Sequence, residues 1–441
     1  MSILLVALFF FATLIVFAFE WKNFSFSLKV SFWSYAGSYI ATTLIGATLI
    51  GGLFDKSFPL SILNKFYINT SLLPAQFDSG YWTLAYGSLL IPFWIILFFN
   101  RLCSNHTLFK MSWLDQSISI IAFWLVCLPF VLYFSANMYF IWNAGFYKLI
   151  SHLDYQSSIL FRYQLFNQFS PAFYGLAYFA LPVFSHVALY QWVTSRSILW
   201  GFSFIFLAGL IFLLYIMIVM KGVLLIYLVS LIIGCYTLKI FRSFSFLILI
   251  LGLVLAIITI YQSLVLGNWH WLDSFILMIF RLSSSFPFFY FLYPKIIPFS
   301  GIYIPGITHA PHENTIVFTY MHPSIEWVIG SVTGAAPLMS YTQGGLGFAF
   351  FTMFAIGIFI FLISKILKKH HSVFRYTLFI QCLVFLYYLT QISLQAAFIS
   401  SFGIFWAIFT ISLLWGSASL FAAAFKSKVK LPHTPSTTMQ N

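Results

Sequence analysis

The chain has 441 residues, of which 62% are hydrophobic and only 7% are Asp, Glu, Lys or Arg. A soluble domain carries about a quarter charged residues, so this composition excludes a water-soluble globular protein and favours lipid as the solvent. The net charge of +13 does not indicate binding to nucleic acid, because the basic residues lie in short clusters between apolar runs.

Apolar runs of about 20 residues, the length that crosses a bilayer, recur along the whole chain. We therefore predict an all-α fold, a polytopic bundle of about eleven transmembrane helices in a single membrane domain, residues 1–441. The predicted spans are residues 1–19, 31–54, 81–99, 116–136, 171–190, 198–219, 222–238, 243–265, 345–364, 374–391 and 398–424. The first run has no basic start and no small-residue cleavage site before Glu20, so we expect a retained anchor.

The distribution of Lys and Arg predicts the orientation, because cytoplasmic loops carry an excess of both residues. With the N-terminus outside, the cytoplasmic segments hold 14 of the 21 basic residues and two acids, Glu20 and Asp115. The densest basic cluster, around Lys365, Lys368 and Lys369, and the tail at residues 426–441 then both lie in the cytoplasm. We predict an outside N-terminus and a cytoplasmic C-terminus.

Two long loops, residues 137–170 and residues 267–344, face outward in this topology. Both are rich in aromatic residues and poor in charge, which indicates ordered and functional loops. The second contains an apolar stretch, residues 273–293, that is interrupted by Arg281 and Pro287. Because an Arg near the middle of a span is costly, we expect an amphipathic interfacial or re-entrant helix here, and a twelfth span is the alternative.

Three basic residues on the predicted outer face are not explained by the distribution rule for cytoplasmic loops: Arg162, Lys221 and Arg281. Arg binds phosphate through bidentate contacts and Lys binds it as a point charge. We therefore predict that the three side chains bind a phosphate or diphosphate. The alternative is that each reaches lipid phosphate and anchors a helix end.

The second loop also holds three histidines and two carboxylates within eighteen residues: His309, His312, Glu313, His322 and Glu326. Pro311 disfavours a helix through the first two histidines, so their spacing is not that of a helical zinc site and we expect no metal. We predict that His309, His312, Glu313 or Glu326 acts as a general base. The alternative is that these residues bridge loop turns at the water surface.

Aromatic residues accompany these polar residues in the second loop. They are Trp269, Trp271, Tyr290, Tyr293, Tyr303, Tyr320 and Trp327. Their faces are suited to stacking on sugar rings, and an aromatic belt at the membrane surface would give the same pattern.

Three short motifs carry a family resemblance. They are Met220-Lys221-Gly222 at the outer start of a span, His309-Ala-Pro-His312-Glu-Asn314 in the large loop, and Gly334-Ala-Ala-Pro337 with Tyr341-Thr-Gln-Gly344-Gly345-Leu-Gly347 before the next span. Together with the architecture of most of the chain, they resemble the O-antigen polymerase (Wzy-like) family of bacterial membrane glycosyltransferases, which is related to the O-antigen ligases. The chain departs from the family pattern where Glu313 separates His312 from Asn314, and where Lys221 stands in place of a common Arg.

The resemblance implies a GT-C-type membrane fold and a transfer reaction without metal or cofactor at the periplasmic face of the bacterial inner membrane. The growing glycan would move from its undecaprenyl diphosphate onto a new undecaprenyl-diphosphate-linked oligosaccharide repeat unit. The implied partners are this lipid-linked oligosaccharide, the lipid bilayer and a chain-length regulator protein.

Within this interpretation, the three outer cations stabilise the leaving diphosphate, and one of the four candidate bases takes the proton of the acceptor hydroxyl. Two alternatives remain open at this point. A flippase or transporter of lipid-linked oligosaccharides would place charged residues inside the spans, and an O-antigen ligase would differ only in its acceptor.

Overall fold

The computed structural model describes residues 3–51, 69–74, 76–103, 115–146, 160–161, 164–165, 167–218, 221–240, 252, 256, 285–303, 308, 313–323, 333–366, 372–399 and 403–428. These residues form helices and no β-strand, which confirms the predicted all-α class. The α-helices are α1 (Ile3–Glu20), α2 (Phe26–Tyr39), α3 (Ile45–Ile50), α4 (Ser79–Leu102), α5 (Ile120–Ile141), α6 (Pro171–Gly175), α7 (Leu181–Ser195), α8 (Ile198–Met217), α9 (Lys221–Thr237), α10 (Ser285–Leu292), α11 (Glu313–Met321), α12 (Ala336–Ile366), α13 (Val373–Tyr388), α14 (Leu394–Ile399) and α15 (Phe405–Lys428). Short π-helical segments join α2 to α3 (Ile40–Leu44), join α6 to α7 (Leu176–Ala180) and extend α5 (Trp142–Phe146).

Six helices of the described part of the chain are long and apolar enough to cross a membrane. They are Ser79–Leu102, Ile120–Phe146, Pro171–Ser195, Ile198–Met217, Ala336–Ile366 and Phe405–Ala423. The shorter apolar helices α9 and α13 coincide with two further predicted spans, and α1 and the continuous helix from α2 to α3 coincide with the first two. Apart from residues 252 and 256, the predicted span at 243–265 lies outside the described residues. The chain is thus a multi-pass membrane protein, and the total of about eleven spans stays a prediction.

Two predicted loop boundaries differ from the helix boundaries. Residues 137–146 of the predicted loop at 137–170 continue α5 and its π-helical extension, with non-helical dihedral angles at Gly145, and the last nine residues of the predicted loop at 267–344 belong to α12. Polar side chains interrupt the apolar pattern in both places, but the backbone is still helical at each of them, at Asn137 in the first and at Gln343 in the second. Apolar periodicity alone therefore places the end of the first helix too early and the start of the second too late.

Polar capping residues determine where several spans begin. The Asp78 side chain accepts a hydrogen bond from the Tyr81 N–H at 3.1 Å at the start of α4. Ser119 does the same for Ala122 at 3.2 Å at the start of α5. These side chains satisfy N–H groups that have no acceptor within the helix, so the polar residues beside the apolar runs fix the helix starts.

Helix α12 organises one half of the bundle, where it packs against α2, α4 and α13. The contact with α4 is close at Gly357, where a Cβ atom would lie 2.7 Å from Cβ of Ile95. Small residues allow such close approach between membrane helices. Helix α13 connects this half to the other one through contacts with α7, α9 and α15. Helix α7 is almost fully buried there, whereas α5 and α15 expose most of their surface, as lipid-facing helices do.

One end of the bundle, called here the Arg375 end, is held by two ion pairs. Nε of Arg375 lies 2.5 Å from Oδ1 of Asp115, and Arg101 pairs with Glu20. Further contacts at this end are Ser27 Oγ to the Ser364 carbonyl (2.7 Å), Ser419 Oγ to Gln116 Oε1 (2.9 Å) and the Phe99–Phe361 ring pair (5.6 Å). All of these residues lie at or beside cytoplasmic segments in the predicted topology.

The opposite end, called here the Glu313 end, carries α10, α11 and the beginning of α12. The Asn69 N–H donates to the Met321 carbonyl at 2.7 Å, which joins the predicted outer segment before α4 to the end of α11. The Tyr290 hydroxyl donates to Asp78, which joins α10 to the start of α4. The described residues of the predicted outer segment before α4 and of the predicted loop at 267–344 therefore meet at one end of the bundle.

Candidate functional site

The Glu313 end is organised around a break in α12. Gly344 has φ −148° and ψ 20°, and Gly345 has φ 73° and ψ −166°. The conformation of Gly345 belongs to a region that only glycine adopts without strain. The break separates a short polar segment, residues 336–343, from the apolar segment that crosses the bundle.

Ser300 and Gly301, which belong to neither a helix nor a strand, connect this break to Glu313 through hydrogen bonds. The N–H groups of Ser300 and Gly301 donate to the carbonyls of Thr342 and Gln343, each at 3.0 Å. The Ser300 hydroxyl donates to Oε1 of Glu313 at 2.6 Å. Ser300 and Gly301 thus hold the carboxylate beside the last residues before the break.

Glu313 is buried, with 1% of its surface exposed. Its Oε1 is bound by Ser300, but its Oε2 has no hydrogen-bond partner within the described part of the chain. A buried acceptor without a hydrogen-bond partner lowers the stability of the fold by about 1–3 kcal/mol. A donor group of a ligand would remove this cost at Oε2. Glu313 is also the first residue of α11, where the helix dipole stabilises a negative charge. The chemistry of this oxygen is that of an acceptor for a substrate proton.

Aromatic rings line the same region. Tyr290 of α10 stacks on Tyr341 of α12, with ring centroids 5.2 Å apart, and the Tyr341 hydroxyl donates to the Tyr293 carbonyl at 2.9 Å. Burial, reinforced by the Glu313 carboxylate, raises the pKa of Tyr293, which therefore stays protonated. The ring of Phe299 lies edge-on to Tyr341 and is 41% exposed, so it offers an aromatic surface to solvent.

Asp78 is a second carboxylate at this end, and the sequence did not single it out. It caps α4 and also accepts a hydrogen bond from the Tyr290 hydroxyl. Burial and this hydrogen bond raise the pKa of Tyr290, so the tyrosine remains the donor. A capping role explains the residue by itself, and the cap at the start of a predicted span was the only sequence signal for it.

Three side-chain amides around the break contain buried atoms without a partner among the described residues. These atoms are Oδ1 of Asn314, Nε2 of Gln343 and Oε1 of Gln395. Gln395 Nε2 donates to Gln343 Oε1 at 3.2 Å, so the two glutamines face each other. Sequence analysis missed both, because neutral residues 52 positions apart give no signal until the helices bring them together.

Two of the predicted site residues, Glu313 and Lys221, lie in the described part of the chain. Glu313 lies at this end of the bundle, as just described. Lys221 is the first residue of α9. The last turn of α9 lies at the Arg375 end of the bundle, where the ring of Tyr236 contacts that of Phe26 (centroids 5.6 Å apart). The first residue of α9 therefore points toward the Glu313 end. The remaining predicted residues, Arg162, Arg281, His309, His312 and Glu326, lie outside the described residues, and their roles stay predictions.

Four of the seven aromatic residues predicted to contact sugar lie in the described part of the chain. Tyr290 and Tyr293 are buried and hold the end of α10 in place. Tyr320 is 36% exposed on α11, and Tyr303 is partly exposed. Trp269, Trp271 and Trp327 lie outside the described residues. The exposed Phe299, which was not predicted, is the aromatic ring beside the break.

Comparison with protein-family models, with curated proteins and with solved structures found no match to this chain. Within the described ranges, no three His, Cys, Asp or Glu side chains gather in a group that could hold a metal ion. The described part of the site consists of Glu313, the facing amides of Gln343 and Gln395, and the aromatic rings around them.

Proposed function

We propose that this protein is a membrane glycosyltransferase that polymerises undecaprenyl-diphosphate-linked oligosaccharide repeat units at the periplasmic face. The observation that carries the proposal is Glu313, a buried carboxylate with one oxygen held by Ser300 and the other without a partner among the described residues. A carboxylate in this state suits a general base for a sugar hydroxyl. The sequence motifs around it supply the substrate class.

The position of the site agrees with a lipid-linked substrate. The apolar segment that follows the break in α12, residues 346–366, spans about 30 Å at 1.5 Å per residue, the thickness of the hydrocarbon core. The break and Glu313 then lie at the membrane surface, where the diphosphate of a polyprenyl lipid is found. A site at this depth receives the lipid from the bilayer and the glycan from water.

The proposed reaction is a displacement at the anomeric carbon of the donor glycan. Glu313 accepts the proton of the acceptor hydroxyl, the new glycosidic bond forms from that oxygen, and the bond to undecaprenyl diphosphate breaks with its electron pair on the leaving group. His309, His312 and Glu326 remain the alternative bases. Arg162, Lys221 and Arg281 are proposed to stabilise the charge that develops on the diphosphate.

Deletion of the gene in its host tests this function through the glycan ladder. A polymerase deletion leaves a single repeat unit on the acceptor, whereas deletion of a flippase or a ligase removes all repeats. We expect the single-repeat pattern, with full ladders restored by the wild-type gene. Loss of all repeats would exclude a polymerase in favour of the two alternatives.

The cation assignment is tested in the same strain. Replacing Arg281 or Lys221 by Ala removes a charge proposed to contact the diphosphate, and we expect each variant to give short ladders at normal protein levels. Full-length ladders from both variants would contradict the assignment.

A further inference from the structure

We propose that Gln343 and Gln395 form a subsite for one neutral sugar residue of the acceptor glycan, beside Glu313. The inference rests on the proposed function for its substrate class. It goes beyond that function by assigning the residues that select and orient the acceptor.

The geometry of the two amides is the first argument. Gln343 is 2% exposed, and its Oε1 accepts a hydrogen bond from Gln395 Nε2 at 3.2 Å. This pairing leaves Nε2 of Gln343 as a donor and Oε1 of Gln395 as an acceptor, both buried and both without a partner within the described ranges. If both amides are turned over, the pair again leaves one donor group and one acceptor.

A donor and an acceptor side by side define the ligand chemistry. They match two adjacent groups of a sugar, either neighbouring hydroxyls or an acetamido group with its own N–H and C=O. Among the described residues, no hydrogen bond or ion pair brings a cation to either amide, so the pair suits a neutral sugar better than a phosphate. Buried amides are also selective, because a ligand without matching groups leaves them unsatisfied.

The surroundings of the amides favour the same ligand. Gly301 binds the main chain of Gln343, and its neighbour Ser300 binds Glu313, so the amides and the carboxylate share one short stretch of chain. Phe299 precedes that stretch and presents an exposed ring, which suits the apolar face of a sugar. A sugar held by the amides then has a hydroxyl available to Oε2 of Glu313.

Sugar binding by the purified full chain in lipid nanodiscs tests the subsite, with saturation-transfer NMR as the readout. The probes are glucose and N-acetylglucosamine, with inorganic pyrophosphate as the anionic comparison. We expect the wild type to bind at least one of the sugars and Gln343→Ala and Gln395→Ala to weaken that binding about fivefold each, the loss of one neutral hydrogen bond. Pyrophosphate binding is expected to be the same in all variants.

Gln391→Ala is the matched control. Gln391 is buried near the same turn, but its Nε2 donates to Thr390 Oγ1 at 3.4 Å within the protein, so its removal should leave sugar binding unchanged. If an alanine variant does not fold, Gln343→Glu replaces it, because the change keeps the side-chain shape and exchanges the donor NH2 group for an acidic acceptor oxygen. Equal sugar binding in wild type and Gln343→Glu, or no sugar binding by the wild type, would overturn the subsite.

The outcomes separate the subsite from the proposed function. Amide-dependent sugar binding together with a knockout that loses all repeats would support the subsite and reject the polymerase. A single-repeat ladder in the knockout together with sugar binding that ignores both glutamines would support the polymerase and reject the subsite.

Discussion

The two ends of the bundle hold their carboxylates in opposite ways. At the Arg375 end, Asp115 and Glu20 are each bound by an arginine. At the Glu313 end, Asp78 and Glu313 are each bound by a hydroxyl, and the described residues give neither carboxylate a cationic partner. An arginine compensates the charge of the carboxylate that it binds, whereas the Ser300 hydroxyl leaves Oε2 of Glu313 without a partner among the described residues.

The difference indicates a division of roles between the ends. Carboxylates that are paired with arginines inside the protein are suited to a structural role, because loss of one partner of such a pair is destabilising. Buried groups left without a partner lower stability, and proteins keep them where function needs them. Stability should therefore depend on the charges of the Arg375 end, and activity on those of the Glu313 end.

The largest expected effect on stability is that of Arg375→Ala. The Arg375 side chain is 7% exposed and binds both oxygens of Asp115, so its removal takes the arginine from a partly buried carboxylate. Removal of one partner of a fully buried pair costs about 3–5 kcal/mol, and the partial exposure of Asp115 reduces this to about 2–3 kcal/mol. Thermal unfolding of the purified protein measures the loss. If Arg375→Ala unfolded at the same temperature as the wild type, the proposed stabilising role of the Arg375 end would be wrong.

A smaller effect is expected at the break in α12. Gly345→Ala forces a side chain into a backbone region that favours glycine, at a cost of about 1–3 kcal/mol. The strain should also displace the Gln343 segment, so activity is expected to fall with stability. Gly347→Ala is the control, because a Cβ atom at this helical glycine meets nothing within 4 Å. Equal melting temperatures for the two variants would contradict the strained conformation.

A small pH-dependent effect is expected from the Glu20–Arg101 pair. The hydrogen bond from Arg101 lowers the pKa of Glu20 below its ordinary value of 4.5. A lowered carboxyl pKa stabilises the fold above that value and loses its contribution as the pH falls through the folded pKa. Wild type and Arg101→Ala should therefore differ slightly in melting temperature at pH 7 and converge below pH 4.5. The difference in melting temperature between the two proteins should also become smaller in high salt, since the pair is exposed. A difference that becomes larger in acid would contradict the pairing.

The same chemical change at the two ends gives the sharpest contrast in stability. Asp115→Asn removes the charge that Arg375 binds and should lower the melting temperature. Glu313→Gln removes a buried charge that no described cation compensates, so its melting temperature should equal or exceed that of the wild type. A comparable loss of stability in both variants would show that Glu313 is a structural residue.

Much of the fold could be predicted from apolar runs, because lipid demands long helices whose backbone groups are paired internally. The predicted span at 198–219 corresponds to Ile198–Met217, where no charged residue interrupts the pattern. The prediction was less accurate for α12, whose first eight residues are helical but partly polar. The periodicity of apolar residues shows which part of a helix has an apolar surface, but it does not show where the helical backbone begins or ends.

The candidate site was predictable only where charge marks it. Glu313 is conspicuous as a carboxylate in a chain with eight acidic residues. Gln343 and Gln395 are not, because a neutral amide becomes informative only when its buried atoms are seen to lack partners. Asp78 was hidden by its ordinary role as a helix cap.

Glycan elongation by purified protein tests the central claim most directly. The protein is placed in nanodiscs with the undecaprenyl-diphosphate-linked repeat unit extracted from the deletion strain, and the rate of chain lengthening is measured per folded molecule. We expect Glu313→Gln to slow elongation by about 100-fold or more, the usual contribution of a general base, while Asp115→Asn keeps the wild-type rate. An elongation rate for Glu313→Gln within a few-fold of the wild type would contradict the assignment of Glu313 as the base.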